Sequence, residues 1–211
     1  GLGDVYYADA AASVSDADGV ILCTPVGSFA GLAEAIAPHL RPGCILSDVG
    51  STKQSAIRDV LPFVPAGVAF VPAHPMAGTE FSGPDAGLAN LFEGRWCLLT
   101  PIEGMDEAAA QKIEAFWRVL GARTARMGAA HHDRVLAIVS HLPHLLAFTI
   151  CGTADDLADE TREEVLQFAA TGFRDFTRIA ASDPVMWRDI FTNNKDALLE
   201  MLSLIHISEP T

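Results

Sequence analysis

Positive charge is scarce in this sequence: 14 Lys and Arg stand against 27 Asp and Glu, a formal net charge of −13. That balance excludes a nucleic-acid binder carried by a general basic field, and electrostatic docking on an anionic membrane. Any anionic ligand must be held by a few local cations. Cysteine is also sparse, with 4 residues in the chain. Cys23, Cys44, Cys97 and Cys151 lie far apart in apolar runs, without a C-x-x-C pair. They read as buried small hydrophobes of a reducing compartment, not as a disulfide framework. No basic-then-apolar leader opens the chain. The most apolar stretch, residues 135–151, is shorter than a membrane span and holds His141, Pro143 and His144. No repeat or low-complexity linker is present, and the expectation is a soluble, cytoplasmic protein.

What the chain does have is apolar material. Half of its 211 residues are hydrophobic, enough for a sizeable core in one large or two small domains. Short apolar runs at 19–24 and 44–49 predict buried strands, 68–71 and 96–100 two more strands, and 123–127 a last short one. Between them, helical patterns cover 29–40, with Ser28 as its cap, 53–60 and 105–121. In the last, Ala109, Ile113, Phe116, Trp117 and Leu120 share one face. Continuous apolar strands separated by helices predict a parallel sheet covered on both faces, an α/β fold. Beyond Met127 the pattern is helical only. A helix over about 129–152 is apolar on nearly every side from Val135, so it needs cover, and a dimer interface is expected to supply it. Pro143 removes one backbone donor and should kink this helix about a turn upstream. Residues 155–170 read as solvated helix or loop. Two further helices cover 174–181 and 184–201, the second capped by Ser182 or Asp183. A domain boundary near Gly128 follows.

Ligands of open parallel sheets sit beyond the carboxyl ends of strands. The segments leaving those ends are Thr24-Pro25-Val26-Gly27, Asp48-Val49-Gly50-Ser51 and residues 72–80. The third gathers an imidazole, a hydroxyl and a carboxylate (His74, Thr79 and Glu80) in a proline-stiffened loop, so His74 is a candidate catalytic group. A second cluster is His131, His132, Asp133, His141 and His144. A metal site of the phosphohydrolase kind stays open for it, but the wholly helical fold of those enzymes does not suit a parallel sheet, and hydrogen-bonded core histidines are the plainer reading. Third, Arg174, Arg178 and Arg188 concentrate positive charge in an acidic chain, where guanidinium forks suit a dicarboxylate. Arg174 and Arg188 are better explained by surface pairing with Asp175, Asp183 and Asp189.

Several segments, in register, resemble the prephenate/arogenate (cyclohexadienyl) dehydrogenase family of tyrosine biosynthesis. They are Leu22-Cys-Thr-Pro-Val26, Asp48-Val-Gly-Ser-Thr-Lys53, His74-Pro-Met-Ala-Gly-Thr-Glu80 and Leu91-Phe-Glu-Gly-Arg-Trp96. Val139-Ser-His-Leu-Pro-His144, Gly172-Phe-Arg-Asp-Phe-Thr-Arg-Ile-Ala180 and Asp183-Pro-Val-Met-Trp-Arg-Asp189 continue the series. The resemblance implies a partial Rossmann-type parallel-sheet domain over 1–128. It implies an all-α dimerisation domain like the C-terminal one of 6-phosphogluconate dehydrogenase over 129–201. It also implies oxidative decarboxylation of prephenate or arogenate with NAD, NADP being the other candidate, in a homodimer without nucleic-acid or membrane partners. By the same resemblance His74 and Ser51 are catalytic. Arg178, His144, Thr79 and His132 bind substrate, Thr24, Pro25, Val26, Gly50 and Ser51 bind cofactor, Asp175 orients the arginine segment, and no metal is needed. The family's opening strand and G-x-G-x-x-G turn have no counterpart, since Gly1-Leu-Gly3 has no glycine at position 6. The chain is therefore expected to be an N-terminally truncated fragment that binds cofactor weakly or not at all. Residues 202–211 are expected to be a non-native tail that breaks the helix pattern. Two alternatives remain beside this reading: an inactive module that only dimerises, and another dehydrogenase pairing the same two domain types.

Overall fold

Runs rich in Val, Ile, Leu and Cys form most strands of the first unit, as expected for a sheet buried on both faces, whereas the last, Arg123–Arg126, is Arg-Thr-Ala-Arg with both ends exposed. The computed structural model describes residues 3–79, 83–157 and 159–207. Its described residues divide into two compact units. One holds residues up to Asp133 except Thr79, and the other holds Thr79 and everything from Arg134 onward.

In the first unit, a short helix α1 (Ala10–Val14) precedes β1 (Gly19–Leu22), α2 (Phe29–Ile36), β2 (Ile45–Asp48), α3 (Lys53–Val60) and β3 (Ala69–Val71). Then come β4 (Ala73–Pro75), β5 (Trp96–Leu99), α4 (Glu107–Val119) and β6 (Arg123–Arg126). Strands β1, β2 and β3 pair in parallel, with Leu22 opposite Asp48 and Ser47 opposite Val71. Ile45, Val71, Ala73, Cys97 and Leu99 form one core with Ala109, Ala110, Ile113 and Trp117 of α4. Leu46 and Phe70, one residue out of phase, are buried on the opposite face. Asp106 caps α4 by accepting from the Ala108 and Ala109 N–H groups at 2.8 and 3.2 Å.

Four local expectations need correction. Ser28 sits at the start of α2 but makes no cap bond; its hydroxyl turns back to Thr24 Oγ1 and the Pro25 carbonyl. The α-helix stops at Ile36, because Pro38 has no N–H to continue the ladder, and a 3₁₀ turn Ala37–His39 follows. The buried stripe of α4 is narrower than expected: Phe116 is 42% and Leu120 39% exposed. Residues 73–75 are strand, not loop, and β4 runs antiparallel to β5, with His74 opposite Leu98. β5 then pairs in parallel with β6.

The reason for β4 lies at Pro72, which cannot donate to the ladder with β2. Beyond it the Asp48 carboxylate takes the place of a strand backbone, accepting the Ala73 N–H at 3.2 Å. Lys53 Nζ donates to the Ala73 carbonyl at 2.7 Å and is ion-paired with Asp48. Neither of these two charged side chains is exposed.

The second unit is helical: α6 (Leu142–Asp155), α7 (Asp159–Phe168), α8 (Thr171–Thr177), α9 (Pro184–Asn193) and α10 (Lys195–Ile207). The boundary falls within α5 (Ala129–Leu136), which a π-turn, Ala137–His141, joins to α6. That turn lies directly upstream of Pro143, where the missing donor disturbs the ladder. The whole run Ala129–Asp155 spans 27 residues, and only 28% of its most apolar window is buried. By length and composition it could cross a membrane, contrary to the expectation drawn from residues 135–151. Asp183, rather than Ser182, caps α9 by accepting from Val185 and Met186 N–H, both at 2.8 Å. Residues 202–207 continue α10 where the pattern was expected to break; 208–211 lie outside the described residues.

Replacing Lys53 with Met strands the Asp48 carboxylate in the core and should cost about 3–5 kcal/mol in urea unfolding. The double variant Lys53→Met/Asp48→Asn should recover much of it. A single-variant loss below about 1 kcal/mol would show that the pair does not hold β4 in place.

Candidate active site

The carboxyl ends of β1 and β2 lie side by side, because these strands pair in parallel register. After β1, Thr24 and Pro25 are exposed while Val26 is buried. After β2, Gly50 donates its N–H to Asp48 Oδ2 at 2.8 Å, and Ser51 is half-buried just ahead of α3. A Cβ at Gly50 would come within 2.8 Å of Val26 Cγ1 and 2.9 Å of Phe29 Cε2. Only glycine lets the two strand-end segments pack this closely. The pair presents backbone and small side chains at the strand ends, where ligands of open parallel sheets sit.

His74 follows Ala73 on β4 and is buried. Its Nδ1 lies 2.9 Å from Nε2 of His132, and the two rings meet edge to face with centroids 5.1 Å apart. His132 Nδ1 in turn lies 2.8 Å from Asp133 Oδ1. Asp133 also accepts the backbone N–H groups of Lys53 at 2.7 Å and Gln54 at 2.9 Å. It thereby caps α3, a role the neighbouring Thr52 side chain does not perform. These are the first N–H groups of the helix, where its dipole favours an anion.

The electrostatics of this chain follow from burial and bonding. Burial holds the His132 imidazole below its usual range, although the Asp133 carboxylate pulls the other way. Burial pushes Asp133 upward, but the bonds from His132, Lys53 N–H and Gln54 N–H outweigh it and leave the acid below the usual carboxylate range. The pair is therefore a carboxylate beside a neutral imidazole near neutral pH. Burial likewise lowers Lys53, against the attraction of Asp48. The Cys97 thiol, on the strand next to β4, is pushed up to about 12 by burial and stays protonated.

In the helical unit, His144 and Trp187 stack face to face, with centroids 3.6 Å apart and planes 15° off parallel. His144 Nδ1 donates to the Ser140 carbonyl at 2.9 Å. Burial lowers its basicity, and the Arg178 guanidinium acts in the same direction. His144 and Arg178 thus share one electrostatic environment, with Arg178 exposed at the start of the 3₁₀ turn Arg178–Ala181. His141 accepts from Asn194 Nδ2 at 2.9 Å. Arg188 pairs with Asp189 at 2.7 Å, and both Arg174 and Asp175 are exposed. Thr79 is exposed and groups with the helical unit, whereas Glu80 lies outside the described residues. The five-residue His/Asp cluster does not act as one group: His132 and Asp133 bond within the sheet unit, and His141 and His144 within the helical one.

Two residues of this arrangement escaped sequence reasoning. Asp133 was visible beside His132 but suggested metal chemistry. Lys53 stands in the first turn of a helix, where the dipole disfavours a cation; that misplacement signals a carboxylate partner.

Comparison with known proteins agrees with this architecture. Residues 1–126 match the family model of the prephenate dehydrogenase nucleotide-binding domain, and residues 128–206 that of the prephenate dehydrogenase dimerization domain. The chain is 41% identical to cyclohexadienyl dehydrogenase of Zymomonas mobilis over 201 residues, covering 95% of this chain and 68% of that protein. It is 36% identical to prephenate dehydrogenase of Bacillus subtilis over 188 residues, covering 89% and 50%. Among solved structures it resembles prephenate dehydrogenase from Aquifex aeolicus, crystallised with hydroxyphenyl propionate and NAD+. That likeness has a TM-score of 0.83 at 35% identity, over 90% of this chain and 66% of that one. The chain thus spans between half and about two thirds of the length of these relatives. Two matched domain models over nearly all of its residues place the chain in the prephenate dehydrogenase family.

Proposed function

We propose that the protein catalyses the oxidative decarboxylation of prephenate, or of arogenate, with NAD+ as the electron acceptor. The observation that carries this reading is His74: a buried imidazole on β4, held from one side by a neutral histidine and a carboxylate. In the reaction the substrate's C4 carbon loses its hydrogen with the bonding pair, and its hydroxyl proton leaves as the carbonyl forms. The bond from the opposite ring carbon to its carboxylate breaks, its electron pair passes through the ring to the C4 oxygen, CO₂ departs, and that oxygen takes a proton back as the ring becomes aromatic. NAD+, bound along Thr24, Pro25, Val26, Gly50 and Ser51, would supply the two-electron oxidant.

The chain's own residues do the rest. His74 takes the hydroxyl proton, a task suited to imidazole near neutral pH. Ser51, at the turn into α3, is assigned to the same hydroxyl. Arg178 holds a substrate carboxylate, its positive charge local in a chain of net charge −13. His144, uncharged and backed by the face of Trp187, gives a rigid polar wall, and Thr79 and His132 complete the positioning set. Steady-state oxidation of both substrates with NAD+ and with NADP+ tests this assignment directly.

Self-association belongs to the same reading. The long helix leaves Ile138 48% and Val139 60% exposed, apolar area that a second copy would cover. The dimerization-domain match over residues 128–206 supports a homodimer, and the 4 cysteines, none in a disulfide, suit the reducing cytoplasm.

Two measurements follow for the holoenzyme. His74→Asn should lower kcat by about 10²–10⁴ with little change in substrate affinity, as for loss of acid–base assistance. Near-wild-type turnover would remove His74 from the chemistry. Arg178→Ala should weaken substrate binding by about 2–4 kcal/mol, the worth of a desolvated charge-assisted contact. An unchanged KM would move the carboxylate site elsewhere.

A further inference from the structure

We infer that Asp133 is a positioning residue that sets, through His132, which nitrogen of His74 carries the proton. An ionised carboxylate only accepts, so the nitrogen 2.8 Å from Asp133 Oδ1 must be a donor, and His132 carries its proton on Nδ1. A neutral imidazole protonated on Nδ1 has its lone pair on Nε2. That nitrogen lies 2.9 Å from His74 Nδ1, which must then be the donor of the second bond. His74 is left with its lone pair on Nε2. The direction is fixed residue by residue, from a carboxylate that cannot reverse it.

Two further observations strengthen the chain. Asp133 is held in place by two backbone N–H groups of α3, at 2.7 and 2.9 Å, so its position does not depend on His132. His132 has no solvent exposure, which denies it a water that could satisfy the opposite tautomer. A histidine in water favours the proton on Nε2, which would present a donor where proton uptake needs an acceptor. The buried chain reverses that preference, as the hydrogen bond on one ring nitrogen decides the state of the other. When His74 gains a proton at Nε2, its Nδ1–H already points to His132, and the Asp133 charge lies behind it.

The inference rests on the reading of His74 as the proton acceptor, and its test keeps the two apart. Two-bond ¹H–¹⁵N correlation spectra of the histidine-labelled holoenzyme report each ring's tautomer without any need for turnover. His74 and His132 should both carry the proton on Nδ1. Asp133→Asn should move His74 toward the Nε2-protonated form and lower kcat by about 10–100-fold, with KM little changed. Because Asp133 also caps α3, a second variant guards against misfolding. His132→Phe keeps that cap, fills the ring's space and removes the link, and should shift His74 in the same way. A wild-type His74 protonated on Nε2 overturns the inference, as does a His74 that stays protonated on Nδ1 in the His132→Phe variant. Near-wild-type turnover of His74→Asn would instead remove His74 as the proton acceptor and leave the tautomer result standing.

Discussion

The Asp48 carboxylate and the Lys53 ammonium, neither exposed to solvent, are the pair on which the sheet unit depends. Two charges are costly to bury, and their attraction offsets that cost only when the remaining lone pairs and protons are also satisfied. Here they are satisfied by backbone. Asp48 accepts from Gly50 and Ala73 N–H, and Lys53 donates to the Ala73 carbonyl. Both polar groups of Ala73 thus bond to the ion pair rather than to a neighbouring strand. This resolves the difficulty that Pro72 creates at the end of β3, and it allows the chain to turn from parallel pairing with β2 to antiparallel pairing with β5. The next residue is His74. Its place is therefore set by a charged bond on the residue before it, together with the ring contact to His132.

The same lysine begins α3, where a cation is unfavourable. Asp133 answers that problem from 80 residues away by accepting the first two N–H groups of the helix. One carboxylate thereby serves the helix terminus and the imidazole chain together. This arrangement explains why the compact sheet unit extends to Asp133, beyond the last strand. The five residues after Gly128 bring His132 and Asp133 back to the ends of β2 and β4, and the all-helical packing begins only after them.

Most of the architecture was legible because it rests on period and punctuation. Buried strands read as apolar runs, Asp183 was one of two candidate caps, and Pro143 marked a disturbance about a turn upstream, where the π-turn Ala137–His141 lies. The errors share a cause. Ser28 has the right type for a cap, but competing acceptors at Thr24 and Pro25 take its hydroxyl. Phe116 and Leu120 keep the helical period yet lie at the rim of a stripe whose width is fixed by the sheet beneath. β4 was missed because its strand character comes from partners, Asp48, Lys53 and β5, and not from its own three residues. In the candidate site, His74 could be singled out as a residue type in a suggestive place. The direction of its hydrogen bonds could not, because that depends on contacts 58 residues apart in sequence.

A chain with a net charge of −13 that is proposed to take a small dianion has to separate its local field from its total one. It does so by consuming cations elsewhere. Arg126 is spent on Glu107 and Glu114, Arg58 on Asp59, Arg134 on Glu200, and Lys53 on Asp48. In the helical unit the histidine near Arg178 is kept neutral by burial and by the guanidinium itself, so it adds no second charge there. Trp187 covers one face of that imidazole. The acidic surface need not repel such a ligand strongly, because exposed charges more than about 8–10 Å away are largely screened at physiological salt. A local arginine can outweigh a large opposing total, since short-range, partly desolvated contacts decide binding and distant ones do not.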